Sequence, residues 1–189
     1  MAAIKLLEKH EVDNEAATIL EMVERDYGLV PNILKAIANC PELLTSFVPF
    51  WAKLYISPSV GPRYRALAAL GTAKAHDCKY CVSHMSASAL KVGLTQLEIN
   101  AIGLPSSNEI LNEKEQLIVE YAFVLTKDSG GVTDELLGKL KENFNDAELV
   151  NLTLLIGLYN LTGRFLKALR IDIEETMTIE SGIESFTSV

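Results

Sequence analysis

Cysteine is scarce in this 189-residue chain, with three in all, and there is a single tryptophan. So few cysteines cannot build the dense disulfide framework of a small secreted domain. Basic residues are also short, with 17 Lys and Arg against 25 Asp and Glu. A net charge of -8 with no run of lysines or arginines excludes the basic face that nucleic acid or an anionic membrane surface selects. Long hydrophobic runs are missing too. The longest, from Leu149 to Leu161, contains Asn151, Thr153 and Asn160 and falls far short of the roughly 20 residues needed to span a bilayer. The first residues, MAAIKLLEKHEVDNEA, interrupt any apolar stretch with Lys5, Glu8, Lys9 and Glu11, unlike a secretory signal. A reducing, cytoplasmic setting is therefore expected, in which cysteines rest as thiols. There is no Gly-x-Gly-x-x-Gly and no phosphate-binding Gly-Lys-Ser/Thr loop, so no organic cofactor is expected.

What is present is 49% hydrophobic residues, ample for one core. The pattern predicts one all-α domain over 1–172 and a C-terminal extension over 173–189 that docks on a partner subunit or stays mobile. No stretch sustains the period-two alternation of a strand. Ala16, Ile19, Leu20 and Val23 form the stripe of a helix over 14–27 that Gly28 stops. Prolines 31, 41 and 62 open helices ending near 39, 55 and 75. Thr95 with Glu98, Asn112 with Glu115, and Asn145 with Glu148 have capping-box spacing and predict helices over 95–102, 113–127 and 146–169, with another over 133–143. The helix over 62–75 carries Ala66, Ala68, Ala69, Gly71, Ala73 and Ala75, a device for close helix approach. Cys40, beside Pro41 in an apolar stretch, is expected to be a small buried side chain. Arg63, Arg65 and Arg164 are candidates for interhelical ion pairs or an interface.

Two of the three cysteines stand together in Cys78-Lys79-Tyr80-Cys81-Val82-Ser83-His84. Thiols at this spacing can pair without moving the backbone, which makes reversible dithiol chemistry the leading reading. Asp77 is expected to cap a helix over 78–92, placing Cys78 in the first turn, where the helix dipole favours a thiolate. At about 100° per residue, Cys81 lies about 60° to one side of Cys78 and His84 a further 60° the same way, within reach of Cys81. Asp77 raises the pKa of its neighbour, which makes Cys81 the more reactive thiol. Zinc is the competing chemistry, with His76, Cys78, Cys81 and His84 as ligand types. Four ligands along one helix and its leading turn surround a tetrahedral ion poorly, and a second ligand pair is missing, so no metal is expected.

The segment YCVSHMSASALKVGLTQL, with GLVPNILKAIANCPELL before it and LNEKEQLIVEYAFVLT, VTDELLGKL and DAELVNLTLLIGLYNLTGRF after it, resembles the AhpD-like alkylhydroperoxidase and carboxymuconolactone decarboxylase superfamily, in its peroxidase-related Cys-x-x-Cys branch. The resemblance covers roughly residues 26–172. It implies an AhpD-like multi-helix bundle and a thiol-dependent hydroperoxide reductase in antioxidant defence. Cys81 then attacks the peroxide, Cys78 resolves the sulfenic acid, and His84 assists. It further implies a homo-oligomer, trimer or hexamer, and reduction by an external dithiol, either dihydrolipoamide on a carrier domain or a thioredoxin-like protein.

The chain departs from that pattern at two positions. The family histidine falls at Met85, one place after His84. The family glutamate, twelve residues before the first cysteine, falls at Ala66, and Arg63 to His76 contains no carboxylate. The proton acceptor must then come from the helix N-terminus, from His84 or His76, or from an acid elsewhere. Three alternatives stand beside the peroxidase: a general dithiol/disulfide oxidoreductase, a non-enzymatic interaction protein on the same fold, and lactone decarboxylation, which calls for no redox dithiol.

Overall fold

Capping chemistry sets the helix boundaries. The computed structural model describes residues 1–175, and among these all regular structure is helical. Ten α-helices follow in order: α1 Asn14–Tyr27, α2 Asn32–Ile37, α3 Pro41–Ile56, α4 Pro62–Ala75, α5 Lys79–Lys91, α6 Gln96–Ala101, α7 Ser107–Ile110, α8 Glu113–Lys127, α9 Asp134–Asn143 and α10 Asp146–Ala168. All three expected capping boxes form, at Thr95, Asn112 and Asn145. The one-turn α7 and two short 3-10 turns at Lys9–Glu11 and Ser129–Gly131 carry no apolar period and were not expected.

Helix α4 is the axis of the bundle and packs against α5, α8 and α10. Every residue from Ala66 to Ala73 is buried, so all faces of the helix are covered. Its small side chains make this possible. A Cβ on Gly71 would stand 3.1 Å from the Cβ of Ala122 in α8, closer than two carbons normally pack. Leu67, Leu70, Ile118, Leu152, Leu155 and Ile156 fill the adjoining layers with almost no exposure. By length and composition alone α10 could cross a membrane, but half of its apolar window is buried in the bundle.

Beside this core, Arg63 at the start of α4 donates to Glu98 of α6 and, at 2.6 Å, to buried Glu115 of α8. Burial pushes the Glu98 carboxyl up, but the Thr95 backbone N–H and Arg63 more than offset it and hold the carboxyl down at about 2. Arg63→Ala leaves Glu115 buried without its cation. We expect a loss of about 3 kcal/mol, the low end for a broken buried pair because Arg63 keeps some water contact, measured by urea unfolding.

Two expectations are corrected. Asp77 does not cap α5. It sits in the left-handed region at φ 52° and ends α4 instead. Its N–H donates to Lys74 O (2.9 Å) while the Cys78 N–H donates to Ala73 O (3.1 Å), the paired bonds of a Schellman turn. Cys78 itself is thereby the N-cap of α5, and its sulfur accepts from the Cys81 N–H at 3.3 Å. Cys40 is exposed, because it is the residue before α3 and lies outside the buried helix face.

A second left-handed residue, Arg170 (φ 52°), ends α10 in the same way, with Ile171 N–H donating to Leu166 O at 3.0 Å. This turn sends Ile171–Glu175 back across the bundle. Ile171 and Ile173 anchor the segment against the core, and Asn32 at the start of α2 ties it down by donating its side-chain N–H to Asp172 O at 3.0 Å. Of the expected extension, residues 176–189 lie outside the described residues.

Candidate functional site

The Schellman turn at Asp77 and the N-cap at Cys78 bring the two sulfurs together at the head of α5. Cys78 and Cys81 are joined as a disulfide with Cα atoms 5.3 Å apart. Both are buried, at 3% and 5% exposure, so a protein-sized oxidant or reductant meets them only after local opening. Cys81 lines an apolar cavity of about 50 Å³ together with Tyr27, Trp51, Tyr80, His84, Met85 and Tyr159. That space suits a small molecule or a compact head group.

His84, one turn along α5, is 4% exposed and fully engaged. Its Nε2 lies 2.7 Å from Glu174 Oε2 and its Nδ1 3.1 Å from the Tyr27 hydroxyl. A carboxylate only accepts, which assigns the ring proton to Nε2 and leaves Nδ1 as acceptor from Tyr27. Tyr80 stacks on the imidazole with ring centroids 4.6 Å apart and donates its hydroxyl to Glu174 Oε1 at 2.6 Å. Burial and the Glu174 charge push the Tyr80 hydroxyl well up, so it stays a donor. Burial likewise raises the Tyr27 hydroxyl above its usual range.

Glu174 is the residue that sequence reasoning did not find. Besides His84 and Tyr80 it accepts from the Asn32 backbone N–H at 2.5 Å. Burial pushes its carboxyl up, yet the His84 bond and charge, the Asn32 N–H and the Tyr80 hydroxyl bring it net below the ordinary 4.5. A buried carboxylate with this many donors is held as the anion. Its only sequence signal is the placing of Ile171 and Ile173 as apolar anchors either side of Asp172, which says that the segment docks but not where.

The other sequence candidates fall elsewhere. Met85, at the family histidine position, faces the cavity and receives the Tyr55 hydroxyl on its sulfur at 3.6 Å. Ala66 is buried in the core. His76 points away to α10, where its ring packs 3.2 Å from the Cβ position of Gly163 and its Nε2 meets Arg164 at 3.2 Å. His76 and His84 therefore do not converge. Among the described residues, no group of three or more His, Cys, Asp or Glu side chains is arranged to hold a metal ion.

Residues 41–105, which span α3 to α6 and include both cysteines, match the model of the carboxymuconolactone decarboxylase family. The chain is similar to the uncharacterised protein YnjA of Escherichia coli K12, 28% identical over 149 residues, or 78% of this chain and 81% of that one. The same fold is seen in the crystal structure of an uncharacterised peroxidase-related protein from Ralstonia eutropha JMP134, an alkylhydroperoxidase AhpD core, with TM-score 0.83, 16% identity and 96% of each chain covered. It is seen again in a cysteine-to-alanine variant of the debrominase Bmp8 in complex with 2,3,4-tribromopyrrole, with TM-score 0.80, 17% identity and 98% of this chain and 100% of that chain covered.

Proposed function

We propose that this chain, which matches the carboxymuconolactone decarboxylase family over residues 41–105 and has the AhpD-like fold, is a thiol-dependent hydroperoxide reductase acting in antioxidant defence through Cys81 and Cys78. The observation that carries the reading is the buried Glu174–His84–Tyr27 chain ending at the cavity that Cys81 lines. In the reduced enzyme the Cys81 thiol gives its proton to the Tyr27 hydroxyl as Tyr27 gives its own to His84 Nδ1. Glu174 then faces an imidazolium, the state its charge stabilises. The Cys81 thiolate attacks the terminal peroxide oxygen. An S–O bond forms, the O–O bond breaks, and the alkoxide leaves and is protonated to the alcohol. Cys78 displaces the oxygen of the sulfenic acid as water and closes the disulfide.

The cycle is completed by an external dithiol, which is oxidised as Cys78 and Cys81 are reduced; the lipoyl arm of a dihydrolipoamide carrier fits that role, and a thioredoxin-like protein fits it once the site opens locally. Burial of both sulfurs favours a small peroxide as substrate over a general role on protein disulfides, and a non-enzymatic role leaves the His84 chain unexplained. Self-association as a trimer or hexamer is part of the proposal, supported by Val150, Leu154 and Leu161, which α10 leaves exposed.

The test is a thiol count against time after the fully reduced protein meets one equivalent of tert-butyl hydroperoxide. Two thiols are expected to vanish per peroxide, faster than in a small-molecule dithiol at the same pH. Loss no faster than in the small dithiol overturns the reading.

A further inference from the structure

Helix α10 has two faces with different surroundings. Its inner side fills the core and, through Leu158 and Thr162, walls the Cys81 cavity. Its outer side carries Val150, Leu154 and Leu161, exposed at 58%, 46% and 55%. With Gly157 and Arg164, also exposed, they recur at steps of four and three, the spacing of a coiled-coil seam. Gly157 stands at the middle of this row and has no use inside the chain. A Cβ there would meet nothing within 4 Å, whereas one on Gly163 would stand 3.2 Å from the His76 ring. A glycine inside a helix is destabilising relative to alanine, and close approach of a second backbone is what offsets that cost.

The charges along the row are polarised. Asp146 opens α10 on the same side, and Arg164 and Lys167 follow the apolar residues. Asp146 and Lys167 lie in the end turns, where the helix dipole favours them, but Arg164 lies before the last turn. Asn160 and the His76 ring hold the Arg164 guanidinium, and the His76 carbonyl holds Lys167. Among the described residues no carboxylate pairs with either cation, and no cation pairs with Asp146.

We propose that this face pairs with the same face of a second copy of the chain, the two α10 helices running antiparallel about a two-fold axis at Gly157. Such an axis sets each residue against the one equally far on the other side of Gly157. Leu161 of each copy then packs beside Leu154 of the other, and Val150 lies under the aliphatic stem of Arg164, whose head reaches on to Asp146. Every contact is made twice. A parallel pairing would instead set Asp146 against Asp146 and Arg164 against Arg164, like charges that repel. This contact gives a geometry to the self-association proposed above, on which it rests; the thiol chemistry plays no part in it. A two-fold contact has no place in a ring of three and recurs three times in a hexamer of two stacked rings, so it selects the hexamer.

The experiment is sedimentation equilibrium of the full chain over a range of concentrations, with Leu154→Glu, Arg164→Asp and the charge-swapped Asp146→Arg/Arg164→Asp. The three positions are exposed, so far-ultraviolet circular dichroism should not change. The wild type is expected as a particle with an even number of chains. Leu154→Glu should halve its mass, because each pair would bury two unpartnered carboxylates. Arg164→Asp should raise the dissociation constant of the pair about tenfold, and the swap should recover most of that loss, which a fault in folding cannot do. If Leu154→Glu fails to fold, the charge swap decides alone. A wild-type trimer, an unchanged mass in folded Leu154→Glu, or a swap no tighter than Arg164→Asp overturns the two-fold contact while self-association stands. A monomeric wild type overturns both.

Discussion

Exchanging Glu174 for glutamine is expected to slow thiol oxidation by hydroperoxide about 10²- to 10⁴-fold, the usual contribution of a positioned acid or base, because His84 loses the charge that lets it serve as the base. The substitution keeps the size of the side chain and an oxygen for the Asn32 N–H and the Tyr80 hydroxyl. What it removes is the negative charge that faces His84 Nε2. Stopped-flow thiol loss with unchanged far-ultraviolet circular dichroism is the measurement, and a rate within twofold of wild type removes Glu174 from the chemistry. The pH dependence has a definite sign. A carboxyl whose folded pKa lies below its ordinary 4.5 adds stability above that value and loses it as pH falls through the folded value. The wild-type thermal midpoint should therefore drop on acidification below about pH 4.5 more steeply than that of Glu174→Gln.

Cys81→Ser abolishes peroxide consumption, whereas Cys78→Ser reacts once and stops. In the first variant the nucleophile is gone, and a hydroxyl at that position has no comparable anion at neutral pH. In the second, serine is itself a good N-cap and can take over from sulfur as acceptor of the Cys81 N–H, so α5 should start as before. The sulfenic acid then has no partner thiol within reach and persists, to be trapped by dimedone and counted by mass spectrometry as one adduct per chain. Full activity in Cys81→Ser, or an adduct on Cys78 instead, reverses the assignment of the two roles.

Helix by helix, the fold could be read from local chemistry, because the signals that start and stop helices are local. Asn14–Tyr27, Pro62–Ala75 and Glu113–Lys127 end where their caps say they end. The head of α5 was misread by one residue for an equally local reason. Asp77 can serve as an N-cap or adopt a left-handed turn, and only the pull of the Ala73 and Lys74 carbonyls decides for the turn. The thiols and His84 were visible as a motif. Glu174 was not, since it meets His84 across a separation of 90 residues and through a segment with no helix period. Ala66 stands where the resemblance led one to look for a carboxylate, and the carboxylate that does meet His84 comes from far along the chain, a contact to which spacing rules are blind.

In the proposed mechanism the attacking thiol and the carboxylate that faces His84 thus belong to parts of the molecule with different resistance to opening. Cys81 rides on a helix locked against α4, whereas Glu174 rides on Ile171–Glu175, which has no helix of its own and is held by two isoleucines and a few hydrogen bonds. Segments of that kind open well before the bundle that they lie on. On warming, the proposed thiol oxidation by peroxide should fail while the chain is still folded, its midpoint lying below the calorimetric one.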